Sequence, residues 1–133
     1  MPPAFLDSNI LIYTASADAG KAAIARELMF RGGVISVQVL NEVANVARNK
    51  MRLAWDDVED LLLHARALLK VDPVTIQTHV QGIELIRHHK LATYDGMIVA
   101  AALIAGCDRL YSEDMHHGLV INGVLTIVNP FKP

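Results

Sequence analysis

Among 133 residues there is a single cysteine, Cys107, which excludes an intrachain disulfide and any four-cysteine zinc site. That scarcity fits a reducing compartment, and the expected location is the cytoplasm. Aromatic residues make up only 5% of the chain, so Tyr13, Trp55, Tyr94 and Tyr111 are expected to serve packing rather than base stacking. Positive charge is not in excess either: 12 Lys and Arg stand against 14 Asp and Glu. A net charge of −2 lacks the basic field that drives non-specific nucleic-acid binding, so any RNA or DNA contact must rest on a local patch or on bound cations. Long apolar runs are also missing. The stretch from Gly96 to Cys107 falls short of the roughly 20 residues that span a bilayer. The N-terminal apolar run is broken by Asp7 and Asn9 and has no basic flank, so neither a signal peptide nor a membrane contact is expected. Repeats, low-complexity tracts and linker-like stretches are absent, and residues 1–133 read as one domain.

What remains is 53% hydrophobic, enough for an ordinary core. Short runs rich in Val, Ile and Leu (Ala4 to Leu6, Val34 to Ser36, Arg109 to Ser112, Leu125 to Val128) alternate with longer helical patterns. The helical stretches are Asn9 to Tyr13, Gly20 to Arg31, Val37 to Met51, Asp56 to Leu69, Thr75 to His89 and Tyr94 to Gly106. This alternation predicts an α/β fold, a central parallel sheet flanked by helices on both faces. The segment from Gly96 to Gly106 is apolar on every side, which predicts a central, buried helix.

Four acids interrupt this pattern. Asp7 follows the first strand, at the carboxyl end where open α/β sheets bind ligands, and it equally suits the N-cap of the next helix. Glu42 borders the apolar arc of Val39, Leu40, Val43, Val46 and Ala47, as either a solvated flank or a ligand. Asp95 opens the buried helix, where the macrodipole favours a carboxylate whatever else it does. Asp114 follows another strand, as a turn acid or a ligand. Brought to one sheet edge, four carboxylates would repel one another and raise their own pKa values unless a divalent cation neutralised them. Oxygen-only ligands suit Mg²⁺ or Mn²⁺ rather than zinc, and such acidic clusters carry out phosphodiester hydrolysis. The polar seam of Asn45, Asn49 and Arg52 at i+3, i+7 and i+10 from Glu42, with Arg48 and Lys50 beside it, is a surface for a phosphodiester backbone or simply a solvated helix face.

At Phe5-Leu-Asp-Ser-Asn-Ile-Leu-Ile-Tyr13, Val39-Leu-Asn-Glu-Val43, Tyr94-Asp-Gly-Met-Ile-Val-Ala-Ala-Ala102 and Leu110-Tyr-Ser-Glu-Asp-Met115 the chain resembles the PIN-domain family, and within it the VapC-type ribonuclease toxins. The resemblance implies a PIN-like three-layer sandwich, metal-dependent RNA cleavage leaving a 5′-phosphate and a 3′-hydroxyl, a cognate antitoxin and a homodimer pairing through residues 9–31 and 37–51. It also implies that Asp7, Glu42, Asp95 and Asp114 bind the metal, with Asn9 and Ser112 orienting the acids and the metal's water. His116 stands where many members carry a further acid, and is a candidate to touch metal or phosphate.

Two other classes compete. A signalling receiver would use Asp72 as phospho-acceptor with Lys132 as its partner, although the chain offers one acid rather than an adjacent pair after its first strand. A catalytically silent PIN-like binding module would keep the shape without turnover. Adjacent histidine pairs, His88/His89 and His116/His117, do not point the same way and disfavour a histidine zinc site.

Overall fold

The computed structural model describes residues 2–133. Its order is β1 (Ala4–Leu6), α1 (Ser8–Tyr13), α2 (Ala19–Arg31), β2 (Val34–Ser36), α3 (Val37–Asn49), α4 (Trp55–Leu68), β3 (Lys70–Asp72), α5 (Ile76–His89), α6 (Thr93–Ile104), β4 (Arg109–Tyr111), β5 (Val120–Ile121) and β6 (Leu125–Val128). The six strands form one sheet in the order β3-β2-β1-β4-β6-β5. All neighbours run parallel except β5, which is antiparallel to β6.

This order explains the layers. The chain moves outward from β1 to β2 to β3, then returns across the sheet to β4. Right-handed crossovers therefore place α1 to α4 on one face and α5 with α6 on the other. The first group packs internally, α1 on α2 and α3, and α4 on α2 and α3. The sandwich, the parallel sheet and the four expected strands agree with the sequence reading, and the two-residue β5 adds one antiparallel edge. β3 also escapes hydrophobic patterning: Lys70 and Asp72 flank one Val in an edge strand.

Local chemistry sets the elements. Ser36 caps α3 by accepting a hydrogen bond from Val39 N at 3.4 Å, and Val39, Val43 and Ala47 bury one stripe of that helix. α6 is buried from Gly96 to Ala102, as its all-round apolar sequence requires. It packs closely on α5 because both helices present glycine at the contact. A Cβ on Gly96 would lie 2.3 Å from Ile86 Cγ1, and one on Gly82 would lie 2.5 Å from Met97 Sδ. Core side chains such as Phe5, Ile35, Leu110 and Ile127 fill the centre of the sheet.

α3 ends at Asn49, before the predicted Met51, so Arg52 is not on the helix. Trp55 and Tyr94 also depart from expectation. They are 57% and 70% exposed, since each stands in the first turn of a helix that buries other positions, whereas Tyr13 does pack, edge-on, against Phe131.

Candidate active site

Strand order reverses between β1 and β4, and in parallel sheets such a switch point opens a crevice at the carboxyl ends of the strands. Register carries Asp7 there. Leu6 pairs with Tyr111, and Asp7 N donates to Tyr111 O at 2.9 Å, which brings Asp7 beside Ser112. Asp7 is only 5% exposed. Its Oδ1 accepts from Ser8 N at 2.7 Å, capping α1, and its Oδ2 accepts from Ser112 Oγ at 2.8 Å. The cap and site roles thus belong to different oxygens of one carboxylate.

Asn9 ties the site together. Its Nδ2 donates to Asp7 Oδ2 at 3.3 Å and to Asp114 Oδ2 at 3.2 Å, while its Oδ1 accepts from Glu113 N at 3.1 Å. One amide group therefore touches the first and last acids of the quartet, more than a hundred residues apart in sequence. Ser112 is fully buried and its Oγ also accepts from Met115 N at 3.4 Å, which shapes the turn that carries Asp114.

The remaining two acids arrive on helices. Glu42 lies on α3, where Gln38 Nε2 donates both to Glu42 Oε2 and to Tyr94 O, each at 3.2 Å. Gln38 thereby links α3 to the first turn of α6, which carries Asp95. Burial pushes Asp7 up to about 6, and Glu42 and Asp95 push it in the same direction against the bonds from Ser112 and Ser8. Asp95 is also raised, by burial first and then by Asp114 and Glu42. Asp7, Glu42 and Asp95 are thus within electrostatic reach of one another, and Asp114 is within reach of Asp95.

Among the described residues the ion pairs join Lys21 to Glu113, Arg31 to Glu27, Lys70 to Asp72 and Arg109 to Asp108, and none touches the quartet. The donor set is all oxygen, its negative charge lacks an internal cation, and its most buried member is protonated more readily than an ordinary Asp. Those properties fit a hard divalent ion. As the side chains stand, no three of the described His, Cys, Asp and Glu residues are spaced to hold one ion together. Asp114 is exposed, and Glu42 and Asp95 are half-buried.

Of the other expected residues, His116 is exposed on the loop after Asp114. Asn45 and Asn49 share the Glu42 face of α3 and are bonded to one another at 2.7 Å. Arg48 donates to Leu53 O at 3.0 Å with its guanidinium 5.0 Å from the Trp55 ring centre, and Arg52 follows the helix end in a left-handed conformation. Asp72 ends the edge strand β3 and pairs with Lys70 at 3.5 Å, so the receiver alternative finds no acidic crevice there.

Sequence reading missed Gln38, whose only signal was its i−4 spacing from Glu42. It also missed the cluster in which Glu113 accepts from Tyr13 OH and pairs with Lys21 Nζ at 2.7 Å. Burial raises Glu113, but Lys21 and Tyr13 outweigh it and hold the carboxyl below its usual range. Nothing in the sequence marks a partner 92 residues away.

A concavity of about 740 Å³ along α5, lined by residues such as Gln81, Leu85 and Asn122, holds none of the four acids.

A parallel sheet covered by helices on both faces, with Asp7 and Asp114 joined at its switch point, defines a three-layer α/β domain with an acidic strand-end site. The PIN domain family model matches residues 4–118, and the chain belongs to that family. No curated protein sequence matches it. Among solved structures, a toxin–antitoxin complex from Klebsiella pneumoniae is similar, with a TM-score of 0.71 and 20% identity over 98% of this chain and 99% of that one. VapC20 of Mycobacterium tuberculosis, described as a toxin that cleaves the sarcin-ricin loop, has a TM-score of 0.64 and 19% identity over 84% of this chain and 89% of that one. At these identities the likeness is one of fold.

Proposed function

We propose that this PIN domain is a Mg²⁺- or Mn²⁺-dependent endoribonuclease and the toxin of a toxin–antitoxin pair. The observation that carries the reading is the Asn9 amide joining Asp7 to Asp114, with Glu42 and Asp95 close enough to shift their neighbours and no cation among them. Asp7, Glu42, Asp95 and Asp114 would hold the ion. When bound, a divalent ion supplies hydroxide at neutral pH and neutralises charge on a phosphoryl oxygen. The chain's own residues prepare for this. Ser112 and Ser8 N fix the Asp7 carboxylate, Gln38 orients Glu42, and Asn9 sets the spacing of Asp7 and Asp114. Asn9 also holds Asp114, while Lys21 pairs with the neighbouring Glu113. His116, exposed on the same loop, would donate to a substrate phosphate.

Wild type and Asp7→Asn are compared on a panel of structured RNAs, with each metal and with a chelator. Removing even an outer partner of a metal ligand costs about 10–100-fold, so loss of a ligand should cost about a hundredfold or more. Equal cleavage by both proteins would eliminate this mechanism, and metal binding by calorimetry without cleavage would favour the silent module. The partner is an antitoxin that covers the acidic cleft, with an Arg or Lys placed among the carboxylates. Failure of any neighbouring reading frame to relieve growth arrest on coexpression would count against it.

A further inference from the structure

We propose that the C-terminal end of α3 carries a defined pocket for one backbone phosphate of the RNA, built by Arg48, Asn49 and Arg52 and held in shape by Trp55. The proposal rests on the ribonuclease reading and gives its substrate a second point of attachment. After α3 ends at Asn49 the chain turns at Arg52, whose φ of 56° lies in the left-handed region. Glycine takes that conformation freely and arginine does so at a cost, so the turn by itself has no use for this side chain.

Arg48 is fixed from two sides. Its Nη1 donates to Leu53 O at 3.0 Å, and its guanidinium lies 5.0 Å from the Trp55 ring centre. A guanidinium carries five N–H donors in a fork that matches a phosphate, and this geometry spends one of them on the protein. Asn49 is likewise oriented, by the bond between its Nδ2 and Asn45 Oδ1. The three side chains line a polar concavity of about 350 Å³. Among the described residues no carboxylate pairs with Arg48 or Arg52. Both guanidiniums therefore keep donors free for an anion.

Position favours RNA over a free anion. Asn49 is seven residues beyond Glu42, within about 20° of the same helix face and about 10 Å further along the axis. That separation corresponds to about three nucleotides of a stacked strand at about 3.4 Å each. A strand with its scissile phosphate at the quartet therefore reaches the pocket along the Asn45–Asn49 edge.

The test measures binding of a single-stranded RNA long enough to span both sites, by fluorescence anisotropy in chelator across a salt series. Cleavage of that RNA and of a dinucleotide is followed with Mg²⁺. Arg48→Gln and Arg52→Gln should each weaken long-RNA binding about 5- to 10-fold and flatten the log K against log salt slope by about 0.7. KM for the long RNA should rise by the same factor, with kcat and dinucleotide cleavage unchanged. Arg52→Gly keeps or improves the turn, so its matching loss would exclude a folding defect. Trp55→Ala should behave as Arg48→Gln does, and Trp55→Phe should rescue it. Arg66→Gln, an equal charge loss on α4, should leave binding within twofold. Wild-type affinity and slope in Arg48→Gln and Arg52→Gly would overturn the pocket even if cleavage persists. Variants that bind RNA normally but lose an oligo-glutamate peptide would overturn it in favour of an acidic protein partner. A wild-type protein that cleaves no RNA would sink the nuclease reading instead, and the chelator binding series would still decide the pocket.

Discussion

Asp7 shows how one residue bears opposing demands. Burial raises its pKa from the usual 3.8 to about 6, so the metal-free folded state holds a proton more tightly than the unfolded chain. The stability this group contributes is fully present below about pH 4 and is lost as pH rises through about 6. Two units of pKa correspond to at most about 3 kcal/mol. Asp7→Asn removes that dependence, so in chelator the variant should gain on wild type in melting temperature between pH 4 and pH 7. Saturating Mg²⁺ or Mn²⁺ should reverse the order at pH 7 by stabilising wild type alone. A difference between the two proteins that stays flat across this window would mean that Asp7 is not a strained carboxylate.

At the scale of elements, the site depends on how closely α5 and α6 approach, because α6 carries Asp95 at its first turn. Gly96→Ala would place a Cβ 2.3 Å from Ile86 Cγ1 and 3.2 Å from Gly82 O, and neither a β-branched stem nor a backbone carbonyl yields easily. Overpacking of this kind costs about 1–3 kcal/mol, offset by about 1 kcal/mol of helix propensity. The expected net loss is ~1 kcal/mol, seen as a melting temperature lower by a few degrees together with weaker metal binding. Gly82→Ala, which meets the flexible end of Met97, should cost less. Equal melting temperatures for Gly96→Ala and wild type would show that the helices can separate freely. The sequence reading found these helices from their apolar periodicity. It missed β3 and β5 because two or three residues, half of them polar or exposed, carry no pattern distinct from a loop.

For the whole molecule, the proposed pairing of two copies needs an apolar face left uncovered by the fold. Phe30 on α2 is 79% exposed, with Ile24 and Val37 also partly open, while Ile76, Val80 and Ile83 present a second open stripe on α5. Pairing through α2 and α3 predicts that sedimentation velocity shows a dimer for wild type and a monomer for Phe30→Ser, with Val80→Ser unchanged. The opposite response would assign the interface to α5, and a monomeric wild type at every concentration would remove the dimer. No described helix is long and apolar enough to cross a membrane.

Residue chemistry and period were enough to reveal the alternation of strands and helices, the buried Gly96 helix and the four acids as candidates. These properties are local, written within a few turns of chain. The approach of Asp7 to Asp114 was decided only by the sheet order, which sets β1 beside β4, and by Asn9, while Gln38 joins the Glu42 helix to the Asp95 helix across the fold. The contact of Trp55 with Arg48 was likewise settled only in three dimensions, by the left-handed turn at Arg52 between them, which hydrophobic patterning does not register.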